Sequence, residues 1–94
     1  MAIRMAGSKA FLEGDWTLNG ATRNIDSLSF SLQQIDVMTG KTLHIDCAQI
    51  SNADPSGLQL LSVWLECARI RGVVPRLGNV PEKLKHWIVP LMLL

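Results

Sequence analysis

A short polar run, Asp54-Pro55-Ser56-Gly57, stands between an alternating apolar segment and the strongest helical pattern in the chain. It fixes more of the fold than any other feature. Asp is a favoured N-cap residue because its carboxylate accepts backbone N–H groups that the first helical turn leaves unpaired. Pro55 then falls at the first helical position, where a missing N–H costs nothing and the fixed φ already suits a helix. Beyond it Gly57, Leu60, Leu61, Trp64 and Ala68 share one face, with Leu58 and Leu65 flanking, the three-four spacing of an amphipathic helix. Arg69 and Arg71 put positive charge in the last turn and Gly72 supplies a stop. The pattern predicts a helix from Pro55 to about Arg71. Gly57, with no side chain, lets its first turn pack closely on a sheet. Before the run, Thr42 to Cys47 alternates, with Leu43, Ile45 and Cys47 on one side and Thr42, His44 and Asp46 on the other. That is a strand with one buried face. The polar residues between it and Asp54 read as a loop.

The other segments fit around this pair. Met1 to Ser8 reads as a loose start or a first edge strand. Lys9 to Glu13 and Trp16-Thr17-Leu18 read as short strands, joined at Gly14-Asp15 by a turn or bulge into a hairpin and ended by Asn19-Gly20. Ile25, Leu28, Leu32 and Ile35 form a helical stripe that Asn24 or Thr22 caps and Gly40 stops, with Phe30 off the stripe. Val73 to Leu77 is a last strand, broken by Gly78-Asn79. Val80-Pro81-Glu82 opens a third helix, with Pro81 in its first turn, carrying Leu84, Trp87 and Ile88 and stopped by Pro90. Strands alternating with helices over the last two-thirds predict a single α/β domain spanning residues 1–94. Its expected architecture is a small mixed β-sheet with about three to four helices packed mainly on one face.

Composition narrows the function. The formal net charge is +1 and the basic residues are scattered, so no nucleic-acid footprint is expected. Hydrophobic residues make up 48% of the chain and charged ones 18%; in so small a domain part of that apolar excess is available to a partner. No apolar run reaches the roughly 20 residues a spanning helix needs. Met1 to Ala6 is too short for a signal peptide, and Arg4 interrupts it. These features predict a cytoplasmic protein, or a soluble module of something larger, without direct membrane insertion. The tail Leu91-Met92-Leu93-Leu94 leaves two readings open: it folds back over the core, or it is a contact surface for a partner or a second copy, giving a homodimer. Cys47 and Cys67 have neither metal-type spacing nor a disulfide framework and read as small buried hydrophobes.

Enzymatic constellations are thin. Dinucleotide and phosphate-loop motifs are absent. His44 reads as an exposed strand residue and His86 as a solvated helix residue. Ser56, His44 and several Asp residues exist, but no nucleophile elbow surrounds Ser56. No metal, no cofactor and no catalytic residue is expected. Ser56 is the residue singled out: its hydroxyl falls beside the unpaired N–H groups and positive end of a helix, a place where a phosphate is tolerated.

The segment Leu43-His44-Ile45-Asp46-Cys47-Ala48-Gln49-Ile50-Ser51-Asn52-Ala53-Asp54-Pro55-Ser56-Gly57-Leu58-Gln59-Leu60-Leu61 resembles the signature of STAS domains, named for sulphate transporters and anti-sigma-factor antagonists. Members typically show an apolar strand ending in Asp, a short loop, then Asp-Ser-Ser-Gly or Asp-Ser-Thr-Gly followed by Leu. Phe11-Leu12-Glu13-Gly14-Asp15-Trp16-Thr17-Leu18 resembles the family's first strands, and Arg71-Gly72-Val73-Val74-Pro75-Arg76-Leu77 its segment after the second helix. The resemblance runs from about residue 9 to residue 89 and is most specific over Asp54 to Leu58. It departs at Pro55, where the family usually has Ser or Thr, and in a short C-terminus.

The resemblance implies the STAS fold and a regulatory, protein-binding role in bacterial signal transduction and transcription regulation. In the antagonist branch a partner that is both anti-sigma factor and serine kinase phosphorylates the residue before the motif glycine, here Ser56. The unmodified form binds the kinase and releases the sigma factor; phosphorylation breaks the complex. The implied partner-binding residues are Asp54, Pro55, Ser56, Gly57 and Asp46, the last as the strand-end aspartate. A second branch resembles the accessory subunit of bacterial lipid-transporting ABC complexes, whose partner is the ATPase. A serine hydrolase using Ser56 is the third and weakest reading.

Overall fold

A computed structural model describes residues 3–23, 25–35, 40–86 and 88. Four strands form one mixed sheet in the order β1 (Ile3–Ala6), β2 (Lys9–Trp16), β3 (Thr42–Ala53) and β4 (Val74–Gly78). β1 and β2 are antiparallel; β2, β3 and β4 run parallel. Between β2 and β3 lie helices α1 (Leu18–Arg23) and α2 (Ile25–Ile35), and between β3 and β4 lies α3 (Pro55–Ile70). A 3-10 turn, Glu82–Leu84, follows β4.

The strands are amphipathic and their buried sides agree. Ile3, Ala10, Leu12, Leu43, Ile45 and Cys47 are buried, while Arg4, Lys9, His44, Val74 and Arg76 are exposed on the other face. α2 packs against β1, α3 against β4, and the two helices touch each other, so among the described residues the helices lie on the buried face of the sheet and none packs on the opposite one. From α3 come Leu58, Leu61, Trp64, Leu65 and Ala68, and from α2 Leu28 and Ile35. Fully burying each large aliphatic side chain contributes about 1.5–3 kcal/mol. Ser31 is buried among them, 2% exposed. Its hydroxyl donates to Leu28 O at 2.6 Å and accepts the indole N–H of Trp64 at 2.9 Å, which ties α2 to α3 and leaves neither polar group stranded.

α3 ends as its sequence predicts. Gly72 has φ +84°, its N–H bonds Arg69 O at 2.9 Å, and Val73 N–H bonds Ala68 O at 3.1 Å, the paired closure of a Schellman motif.

Four expectations are corrected. The hairpin turn lies at Gly7-Ser8, between β1 and β2, and β2 runs unbroken through Gly14-Asp15. Of the turn or bulge read at Gly14-Asp15 the bulge is the one present: Gly14 (φ +81°) sits where the β2–β3 register shifts. Trp16-Thr17-Leu18 does not continue as a strand: Thr17 leaves the sheet and α1 begins at Leu18, so Asn19-Gly20 lies inside a helix. Thr17 Oγ1 accepts the Gly20 N–H at 3.4 Å, an N-cap contact. The polar residues Gln49 to Ala53 are strand, not loop. β3 also carries extra residues against β2 between Phe11 and Glu13 and between Gly14 and Asp15. Each bulge moves the strand's alternation by one residue, so the next buried side chain after Cys47 is Ile50, three positions on. Finally, Pro81 stands extended (φ −56°, ψ 141°) just before the 3-10 turn rather than within it. Leu84 and Ile88 are buried as expected. Asn24, Trp87, Pro90 and the apolar tail at 91–94 lie outside the described residues.

Candidate functional site at the start of α3

The parallel strands β2 and β3 end together, Trp16 pairing with Ala53. Two helices leave from that edge, α1 at Leu18 and α3 at Pro55. Asp54 stands between them in extended conformation, φ −138° and ψ 168°. Its Oδ1 accepts the Gly57 N–H at 2.6 Å. The same oxygen accepts the Leu18 N–H at 3.1 Å, with Oδ2 3.2 Å from that nitrogen. One carboxylate thus satisfies donors at the starts of both helices, and the negative charge faces the positive end of each. Asp15 reinforces the corner from the β2 side. Its Oδ1 accepts the Thr17 N–H at 2.9 Å. That backbone donor, with a further bond to the Thr17 side chain and the Arg23 guanidinium nearby, holds the Asp15 carboxyl below its usual range.

Gly57 is buried, and the reason is steric. A Cβ at this position would overlap the carbonyl group of Trp16. The first turn of α3 therefore lies directly on the end of β2, and only glycine permits that approach. Pro55 and Ser56 sit on the outer side of the same turn and are exposed. Ser56 borders a shallow surface depression lined by Leu18, Gln59, Leu60, Ser62 and Val63. Leu18 and Val63 are 50% and 60% exposed and give the depression an apolar rim.

Asp54, Pro55, Ser56 and Gly57 therefore form one corner. Asp46 does not join them. It lies in the middle of β3, not at its end, and Ala53 is seven positions further along the strand, on the order of 20 Å at the strand rise. Its Oδ1 accepts the Ala48 N–H at 2.9 Å, an amide freed by the first bulge, and its Oδ2 accepts Asn79 Nδ2–H at 3.0 Å. Those two donors, the backbone one first, hold its carboxyl below the usual range.

Sequence reasoning missed Leu18 and Val63. Leu18 was hidden because the β-like run before it predicts a strand. Val63 was legible in principle: it follows Ser56 by seven residues, two turns along the same helix face. Cys47 is buried in the sheet, and desolvation, with Asp46 beside it, pushes its thiol up to about 12. Among the described residues no group of three or more His, Cys, Asp and Glu side chains is placed to hold a metal, and no helix is long and apolar enough to cross a membrane. No family model and no curated protein matches the chain.

Proposed function

We propose that this chain is a STAS-like protein-binding module resembling an anti-sigma factor antagonist, switched by phosphorylation of Ser56 by a partner anti-sigma kinase. The observation that carries the reading is the exposure of Ser56 on the outer side of the first turn of α3, next to the Asp54 carboxylate and a rim of exposed Leu18 and Val63. A kinase reaches such a hydroxyl without unfolding anything. A partner that covers Leu18 and Val63 also covers Ser56. A phosphate there adds about −1.5 to −2 charge to an apolar contact that already holds one carboxylate, so desolvation and like-charge repulsion both oppose the complex. Within the free domain the helix N-terminus offsets part of that charge, so the modified chain stays folded while the interface is lost. The mixed four-stranded sheet with helices on one face supports the STAS-like reading of the fold.

The same exposed apolar rim favours a second reading, an accessory subunit held constitutively against an ABC-transporter ATPase. A hydrolase draws less support, because His44 lies on the open face of β3, ten residues before Asp54. The readings separate on incubation of the chain with anti-sigma kinases and Mg-ATP, followed by peptide mass spectrometry. The switch predicts a single phosphate on Ser56 and none in Ser56→Ala. Stable co-purification with an ABC ATPase that is indifferent to Ser56→Ala and Ser56→Asp supports the transporter reading instead.

A further inference from the structure

The face of the sheet turned away from the helices carries two cations, Lys9 and Arg76, with a histidine between them. Lys9 pairs with His44 across β2 and β3, and His44 pairs with Arg76 across β3 and β4. All three are exposed, so their side chains rise next to one another from three adjacent strands. Strands lie about 4.8 Å apart, which sets the Lys9 and Arg76 backbones about 10 Å apart with His44 midway. Among the described residues Lys9, His44 and Arg76 have no side-chain hydrogen bond and no ion pair, and the charge that Lys9 meets is the Asp46 carboxylate. The nearest carboxylate, Asp46, stands in the next row on the same face. Its two oxygens are turned to Ala48 N–H and Asn79 Nδ2–H instead. Gly78, opposite Asp46, contributes no side chain and has open space where a Cβ would be. The row therefore borders a hollow whose polar lining is Lys9, His44, Asp46, Arg76 and Asn79.

We propose that this row binds a phosphate dianion, free or as the head of a small monoester, with Lys9 and Arg76 gripping it from either side and His44 between them. The donor set fits that chemistry. Arginine offers a planar fork to two phosphate oxygens, and lysine offers a compact charge to a third. Histidine carries at least one N–H donor in either protonation state. Three donors spread over about 10 Å of sheet converge on one tetrahedral group with several acceptor oxygens more readily than on a planar carboxylate. Two fixed cations against the one carboxylate of Asp46 leave the hollow net positive. The site is low on β3, away from Ser56, and stands whether or not Ser56 is a switch.

The test titrates the full chain with inorganic phosphate and, separately, with glycerol phosphate at constant ionic strength, following backbone and His44 resonances by NMR. The proposal predicts saturable shifts confined to Lys9, His44, Arg76, Asn79 and their neighbours. Tighter binding of glycerol phosphate identifies a monoester as the ligand, and equal binding identifies the free ion. Lys9→Ala/Arg76→Ala should weaken binding at least about tenfold with an unchanged melting temperature, since both side chains are exposed. Arg76→Ala alone gives the same direction if the double variant folds poorly. Shifts that fail to saturate, that spread equally to Arg23, Lys83 and Lys85, or that persist undiminished in the variants overturn it.

Discussion

The carboxylate of Asp54 accepts the backbone N–H of Leu18, 36 positions earlier in the chain, at 3.1 Å while holding that of Gly57 at 2.6 Å. The N-cap of α3 is therefore also the anchor of α1, and the two helices that frame Ser56 share one polar hinge.

Removing that hinge should cost more than an ordinary cap. Asp54→Ala loses the N-cap bond, usually worth about 1 kcal/mol, and the charge-assisted bond to Leu18 as well. We expect a loss of about 2 kcal/mol in urea unfolding, or roughly a 10 °C fall in Tm for a domain of this size. Asp54→Asn keeps an acceptor at the cap and should lose less than half as much. A loss in Asp54→Ala no larger than that of a solvent-facing cap contradicts the double role.

Gly57→Ala tests the contact with β2. Alanine is the better helix former by about 1 kcal/mol. Its Cβ, however, would overlap the Trp16 carbonyl, and backbone cannot rotate away as a side chain can. Overpacking of this kind costs about 1–3 kcal/mol, so the clash outweighs the propensity gain and the variant should be less stable. A stabilised Gly57→Ala, measured by the same denaturation, places the first turn further from the sheet than the structure does.

The buried bond between Ser31 and Trp64 makes a third case. Ser31→Ala leaves the indole N–H unsatisfied in the core, at a cost of about 2 kcal/mol although only one oxygen is removed. In a double-mutant cycle with Trp64→Phe the pair should show a coupling of about 1 kcal/mol. Additive losses would mean that the indole finds another acceptor.

Acid should act on the open face through Asp46. Its carboxyl sits below its usual value of 3.8, chiefly because of the Ala48 N–H and then Asn79. A carboxyl lowered on folding contributes stability that is present above the unfolded value and is lost as pH falls through the folded one. Asn79→Ala removes one donor, so the Asp46 titration midpoint, followed by carboxyl carbon NMR, should rise towards 3.8. An unmoved midpoint would show that the side-chain bond is not populated in solution.

The sequence was most readable where local chemistry and tertiary structure agree. Asp54, Pro55 and Gly72 bound α3 by cap, ring and left-handed backbone, all of which act within one turn. The alternation of Leu43, Ile45 and Cys47 placed the first half of β3. Its second half was invisible for a definite reason: two bulges against β2 break the period, so Ile50 falls out of phase and Gln49, Ser51 and Asn52 look like a loop. α1 was missed because the β-like run Trp16-Thr17-Leu18 masks its local cap at Thr17, and its other anchor, the Asp54 carboxylate, is 36 residues away. The burial of Ser31 has no local signal, because its partner, Trp64, is 33 residues away. The corner at Asp54-Pro55-Ser56-Gly57 was legible, whereas the rim that gives Ser56 a surface to act on was not.

The proposed switch makes partner binding depend on the charge at Ser56, and affinity for the kinase reads that dependence. A chain carrying phosphate on Ser56, or Ser56→Asp as its mimic, is titrated against a kinase that binds the unmodified protein. We predict at least about thirtyfold weaker binding, equivalent to roughly 2 kcal/mol of desolvation and repulsion at the interface, with the fold intact by circular dichroism. Equal affinity of the modified and unmodified chains for that kinase would rule out the proposed switch.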